Sequence, residues 1–109
     1  MENQHRRISG YRELSQVEID LMNKIKQLGP LIEEVELLVR AHVEAQEDYA
    51  YGRIYDPEYG RKVAFVEGDS VERHRLEEAT PSRFIALAKT EFQTGLMYLT
   101  RAVAQPTFY

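Results

Sequence analysis

The chain has 109 residues, 43% hydrophobic and 29% charged, with no Cys and no Trp. That length fits one small domain, and a formal charge of −4 opposes wrapping of duplex nucleic acid, which needs clustered cations. Without Cys there is no disulfide framework, thiolate zinc site or cysteine nucleophile, in keeping with a reducing compartment. No apolar run reaches the ~18 residues of a membrane span, and the opening residues lead into no apolar signal segment. A soluble, cytosolic protein is expected.

Residues 1–14 are polar and without periodicity, and read as an arm that carries Gly10 and Tyr11. Ser15-Gln16-Val17-Glu18 matches a capping box, in which hydroxyl and carboxylate satisfy each other's backbone donors at a helix start. Leu21, Ile25, Leu28, Ile32, Val35, Val39 and Val43 then step by three or four, a heptad seam widened by Met22, Leu31, Leu37 and Leu38. The spacing predicts a helix from Gln16 to about Gln46, ~46 Å long. Gly29-Pro30 interrupts it, since proline removes a helix hydrogen bond and crowds the carbonyl four residues back. The unbroken heptad phase predicts one kinked helix.

Residues 46–79 form an insert of different composition, crowded with Tyr49, Tyr51, Tyr55 and Tyr59. Asp56-Pro57-Glu58-Tyr59-Gly60 is a turn signal between β-compatible flanks, Ala50–Tyr55 and Lys62–Glu67, so a small β-hairpin and a loop both fit. Asp69-Ser70 suits the cap of a short helix to about Ala79. Thr80-Pro81 offers a capping hydroxyl and a first-turn proline. After it Ile85, Ala88, Phe92, Leu96, Leu99 and Val103 continue a helical stripe of ~36 Å that stops near Pro106. Two such helices cannot cover both broad stripes alone. The expected fold is mainly α: a single domain over residues 1–109, an antiparallel helical hairpin with a kinked first helix, assembled as a homo-oligomer.

Catalytic patterns are missing. Ser9, Ser15, Ser70 and Ser82 lie in no nucleophile-elbow context, and no glycine-rich phosphate loop occurs. His5, His42 and His74 are isolated, and Glu33-Glu34-Glu36 lacks the histidine partner of a di-metal helix, so it reads as a solvated acidic face. No metal, cofactor or enzymatic activity is expected. Two groups remain. One is Arg6, Arg7, Gly10, Tyr11 and Arg12 with Lys24 and Lys26, where tyrosine could stack a base and cations could hold phosphate. The same residues also suit an arm packed on a helix with surface lysines. The other is Arg83 near the start of the last helix, then Lys89, Thr90, Gln93 and Gly95. A helix start favours anions, yet surface cations on an oligomeric helix fit equally. Gly95 costs ~1 kcal/mol in a helix interior, which a close helix–helix approach would explain.

Charge is unevenly spread. Residues 1–30 carry five cations and four anions, and 81–109 carry three and one. Residues 31–48 carry one and six, and 49–80 five and seven. An antiparallel hairpin would bring the two cationic ends together, making a local surface that tolerates anions.

The opening His5-Arg6-Arg7-Ile8-Ser9-Gly10-Tyr11-Arg12-Glu13-Leu14-Ser15 with Ile19-Asp20-Leu21-Met22-Asn23, and the closing Ala88-Lys89-Thr90-Glu91-Phe92-Gln93-Thr94-Gly95-Leu96-Met97 with Arg101–Thr107, resemble a phage family. It comprises the small anti-CBASS proteins that sequester cyclic oligonucleotide signals, related to Thoeris anti-defence sponges. The resemblance spans residues 4–45 and 80–109. It implies a helical hairpin in a homo-oligomer, a hexamer in well-known members, which binds cyclic dinucleotides such as cyclic GMP-AMP between protomers without cleaving them, in the cytoplasm of the infected bacterium. Some members also hold cyclic trinucleotides in separate pockets. Tyr11 and Lys26 match the family's base-stacking tyrosine and phosphate-contacting lysine, flanked by Gly10 and Arg12. Arg83, with Lys89 and Thr90, corresponds to the trinucleotide pocket. The longer insert and Gly29-Pro30 depart from the shortest relatives and leave the ligand open between di- and trinucleotides and cyclic ADP-ribose isomers. A helical protein that docks a host partner through its tyrosine-rich insert is the alternative from a different class.

Overall fold

The first helix begins at the capping box. Ser15 N–H donates to Glu18 Oε1 at 2.8 Å, and Glu18 N–H donates to Ser15 Oγ at 3.2 Å. The structure, a computed structural model, describes residues 13–64 and 66–107. The elements in chain order are α1 (Gln16–Tyr51), β1 (Arg53–Asp56), β2 (Arg61–Ala64), α2 (Ser70–Ala79) and α3 (Pro81–Ala104). The fold is mainly helical, as the spacing predicts, with α1 continuing five residues past Gln46.

Pro30 sits inside α1, which passes through it as one bent helix. The neighbouring glycine explains how. A side chain before proline clashes with the proline ring in the helical conformation, and Gly29 has no Cβ to clash. Proline also donates no hydrogen bond to the Lys26 carbonyl.

The chain divides into two compact units, residues 1–34 with 89–109, and residues 35–88. Among the described residues the buried hydrophobic ones are Val43, Ala50, Leu76 and Ile85, all in the second unit. In the first unit no described apolar residue is buried, and Met22, Ile25 and Ile32 are half-buried. The heptad seam expected on α1 is therefore not one buried line. Ile25 and Ile32 face partly inward and Val43 fully, while Leu21, Leu28, Val35 and Val39 are exposed. The described residues leave much of the stripe uncovered.

Within the second unit, β1 and β2 pair antiparallel in the register Arg53↔Ala64 to Asp56↔Arg61, so the insert forms the hairpin. Asp56 builds the turn, accepting Glu58 N–H on its side chain at 2.9 Å and Gly60 N–H on its carbonyl at 2.9 Å. Gly60 takes the left-handed φ of 65° that ends such a turn. Lys62 ties the hairpin to α1 by ion pairs with Glu44 and, at 2.5 Å, with Asp48.

Two glycines close the base of the hairpin. A Cβ at Gly52 would overlap the Val66 carbonyl, and one at Gly68 the Ala50 carbonyl. That same Ala50 carbonyl accepts Asp69 N–H at 2.9 Å. Asp69 caps α2, accepting Glu72 N–H at 3.1 Å. Thr80 departs from the cap expected of it. Its left-handed φ of 46° ends α2 through a bond from its N–H to the Leu76 carbonyl at 3.0 Å, and its own carbonyl accepts Arg83 N–H at 3.1 Å. One residue thus turns α2 directly into α3, with Pro81 in the first helical position.

The close approach expected at Gly95 is not made within the chain: among the described residues, a Cβ there meets nothing within 4 Å. Gly52 and Gly68 are the glycines that packing demands. Gly68→Ala should destabilise the protein by about 1–3 kcal/mol in chemical denaturation, and an unchanged midpoint would contradict the close approach described here.

Candidate functional site

Lys26 and Lys24 lie exposed on the first half of α1, in the first unit. Lys89 and Thr90 lie in the same unit, exposed on α3. Arg83 belongs to the second unit, in the first turn of α3. The structure thus groups Lys26 with Lys89 and Thr90, and assigns Arg83 elsewhere. Gly10, Tyr11 and Arg12 lie outside the described residues, as do Arg6 and Arg7. The first half of α1 places Lys26 four residues before Pro30, so its carbonyl lacks the usual helical donor.

Arg83 lines an open hollow of about 230 Å³ in the second unit. Glu47 and Tyr51 reach it from the last turns of α1, Leu76 and Glu77 from α2, and Thr80, Pro81 and Ser82 from the corner between helices. Leu76 is buried and gives the hollow an apolar wall. The Tyr51 hydroxyl donates to Glu77 Oε1 at 2.8 Å. That bond is the main reason the Tyr51 hydroxyl titrates above its ordinary value of 10.0, because ionisation would set two negative oxygens against each other. The Arg53 guanidinium lies 4.8 Å from the centre of the Tyr51 ring, and that of Arg73 5.9 Å. Arg83 itself lies 5.4 Å from the Phe84 ring.

A second hollow, about 250 Å³, opens at the hairpin base beside Asp48, Tyr49, Gly52, Arg53 and Asp69. Tyr49 and Asp69 are engaged structurally there, while Asp48 Oδ1 is buried without a hydrogen-bond partner among the described residues. Tyr49 donates to Asp69 at 3.2 Å, and the Glu72 N–H, with that hydroxyl, holds the Asp69 carboxyl below its ordinary value of 3.8. Asp48 and Glu44 keep the Lys62 ammonium charged to a higher pH than usual. Elsewhere Glu36 pairs with Arg40 at 3.0 Å and His74 with Glu78 at 3.2 Å. No group of three metal-ligating side chains occurs among the described residues, and none of their helices is long and apolar enough to cross a membrane.

The sequence singles out Arg83 and the tyrosines of the insert but does not connect Arg83 with Glu47, Tyr51 or Glu77. Only the corner at Thr80 brings α2's carboxylate beside the end of α1 and the start of α3.

No family model matches the chain. A phage protein, Anti-CBASS protein 2 of Pseudomonas phage JBD67, is 39% identical to it over 110 residues, covering 97% of this chain and 97% of the relative.

The depressed Asp69 carboxyl predicts acid sensitivity. A carboxylate whose folded value lies below its unfolded one contributes stability that is complete above 3.8 and is lost as the pH falls through the lower folded value. Asp69→Asn should melt below wild type at neutral pH and level with it in strong acid. A gap that persists undiminished in acid would contradict the charged cap.

Proposed function

The chain belongs to the phage anti-CBASS protein family, and on that premise we propose that it binds host cyclic oligonucleotide signals and withholds them from their effectors without cleaving them. The observation that carries this reading is the likeness to the JBD67 protein along nearly the whole of both chains. The cations support it. Lys26, Lys89 and Arg83 have no ion-pair partner among the described residues, although the chain is acidic overall. An unpaired guanidinium or ammonium keeps its donors available for phosphate. In this reading Tyr11, flanked in sequence by Gly10 and Arg12, stacks on a base, Lys26 contacts phosphate, and Arg83 serves a trinucleotide.

Sequestration needs affinity and copy number, not turnover. The reading places the protein in the cytoplasm of the infected cell, where the signals are made. It also includes self-association, with the hexamer of the best-known relatives as the expected state. The described residues of the first unit leave Val17 68% exposed and Leu31 58% exposed, an apolar surface that another copy would cover.

Calorimetry with cyclic GMP-AMP tests the binding. Tyr11→Ala and Lys26→Ala should each weaken it at least 10-fold, the loss expected when one charged or stacking contact is removed. Equal heats for all three proteins would favour a docking role for the exposed Tyr49, Tyr55 and Tyr59, and binding of a cyclic ADP-ribose isomer alone would favour a Thoeris-type sponge. Sedimentation at micromolar concentration should show an oligomer as the main species. A stable folded monomer would remove the interprotomer pocket.

A further inference from the structure

The hollow beside Arg83 contains two opposite charges that do not meet. Arg83 and Glu47 both line a space of about 230 Å³, yet neither side chain has an ion-pair or hydrogen-bond partner among the described residues. Glu77, the other carboxylate on that wall, spends one oxygen on the Tyr51 hydroxyl and keeps a second for a further donor. An inorganic anion would satisfy only Arg83, and a simple cation only the glutamates. A ligand that satisfies all three must carry an anion at one end and hydrogen-bond donors at the other.

The volume lies below the ~300 Å³ at which pockets for drug-sized ligands begin. It suits one unit of a larger ligand. Tyr51 contributes its hydroxyl rather than a stacking face, since Arg53 already lies against its ring. The ligand is therefore read along an edge.

We infer that this hollow takes one nucleotide unit of a cyclic oligonucleotide, with its phosphate on Arg83 and a guanine edge on Glu47 and Glu77. The inference rests on the proposed binding of cyclic oligonucleotides and adds a base preference to it. Ionised carboxylates only accept hydrogen bonds. Guanine presents a ring N–H beside an exocyclic amino group, two adjacent donors matched to a carboxylate. Hypoxanthine lacks the amino group. Uracil flanks its single N–H with two carbonyl oxygens, which a carboxylate repels. The Tyr51 hydroxyl fixes the Glu77 carboxylate and so acts as a positioning group.

Calorimetry with cyclic AMP-AMP-GMP and its counterparts carrying hypoxanthine or uracil in place of guanine tests the assignment. Wild type should prefer guanine over uracil by about 10-fold, the discrimination of one good carboxylate–base pair, with hypoxanthine between. Glu77→Gln and Glu47→Gln should shrink that ratio, and Arg83→Ala should weaken all three ligands alike. A ratio unchanged in both glutamine variants overturns the assignment. Failure of all three trinucleotides to bind, with cyclic GMP-AMP still bound, also overturns it and leaves sequestration standing. Failure of every cyclic oligonucleotide overturns both.

Discussion

The structure depends on one imbalance: its described residues present more apolar helix surface than they bury. Among the described residues only Val43, Ala50, Leu76 and Ile85 form a buried hydrophobic core, and all four lie between residues 35 and 88. A chain this short has little interior to spare, and small domains without staples are marginal. It has no Cys for a disulfide. Leu21, Leu28, Phe92 and Leu99 stay exposed in the unit that also holds Lys26 and Lys89. Self-association and ligand binding, as proposed, would thus act on the same surface. Gly95 fits this picture. A glycine in mid-helix with nothing opposite it in its own chain leaves room for a neighbour's helix.

The insert has the opposite character. Beside the buried Ala50 and Leu76, it is held by specific polar contacts: Lys62 to α1, Tyr51 to Glu77, Tyr49 to Asp69. Two glycines allow backbone approaches that any side chain would block. Buried area gives stability without direction, whereas hydrogen bonds and ion pairs fix geometry. The hairpin base and the Thr80 corner therefore set where Tyr51 and Glu77 stand relative to Arg83.

Much of this was legible in the residues. The capping box at Ser15 and Glu18, the turn at Asp56–Gly60, the cap at Asp69 and the proline at Pro81 each act through near neighbours in sequence, and each forms where the pattern puts it. The heptad seam was less legible, because periodicity marks which residues are apolar and not which of two faces a partner covers. The left-handed Thr80 follows from joining two helices through one residue, a tertiary demand invisible in its own chemistry. The Arg83 hollow was half legible. A cation at a helix start is a local signal, but Glu47 and Glu77 reach it only through the fold.

As proposed, the protein holds a cyclic oligonucleotide and returns it unchanged. The most direct measurement is to incubate a stoichiometric amount with cyclic GMP-AMP, denature the protein, and weigh the released nucleotide by mass spectrometry. Sequestration without cleavage predicts quantitative recovery of the intact cyclic molecule. Linear dinucleotide, or mononucleotides increasing with incubation time, would contradict it and make the protein an enzyme.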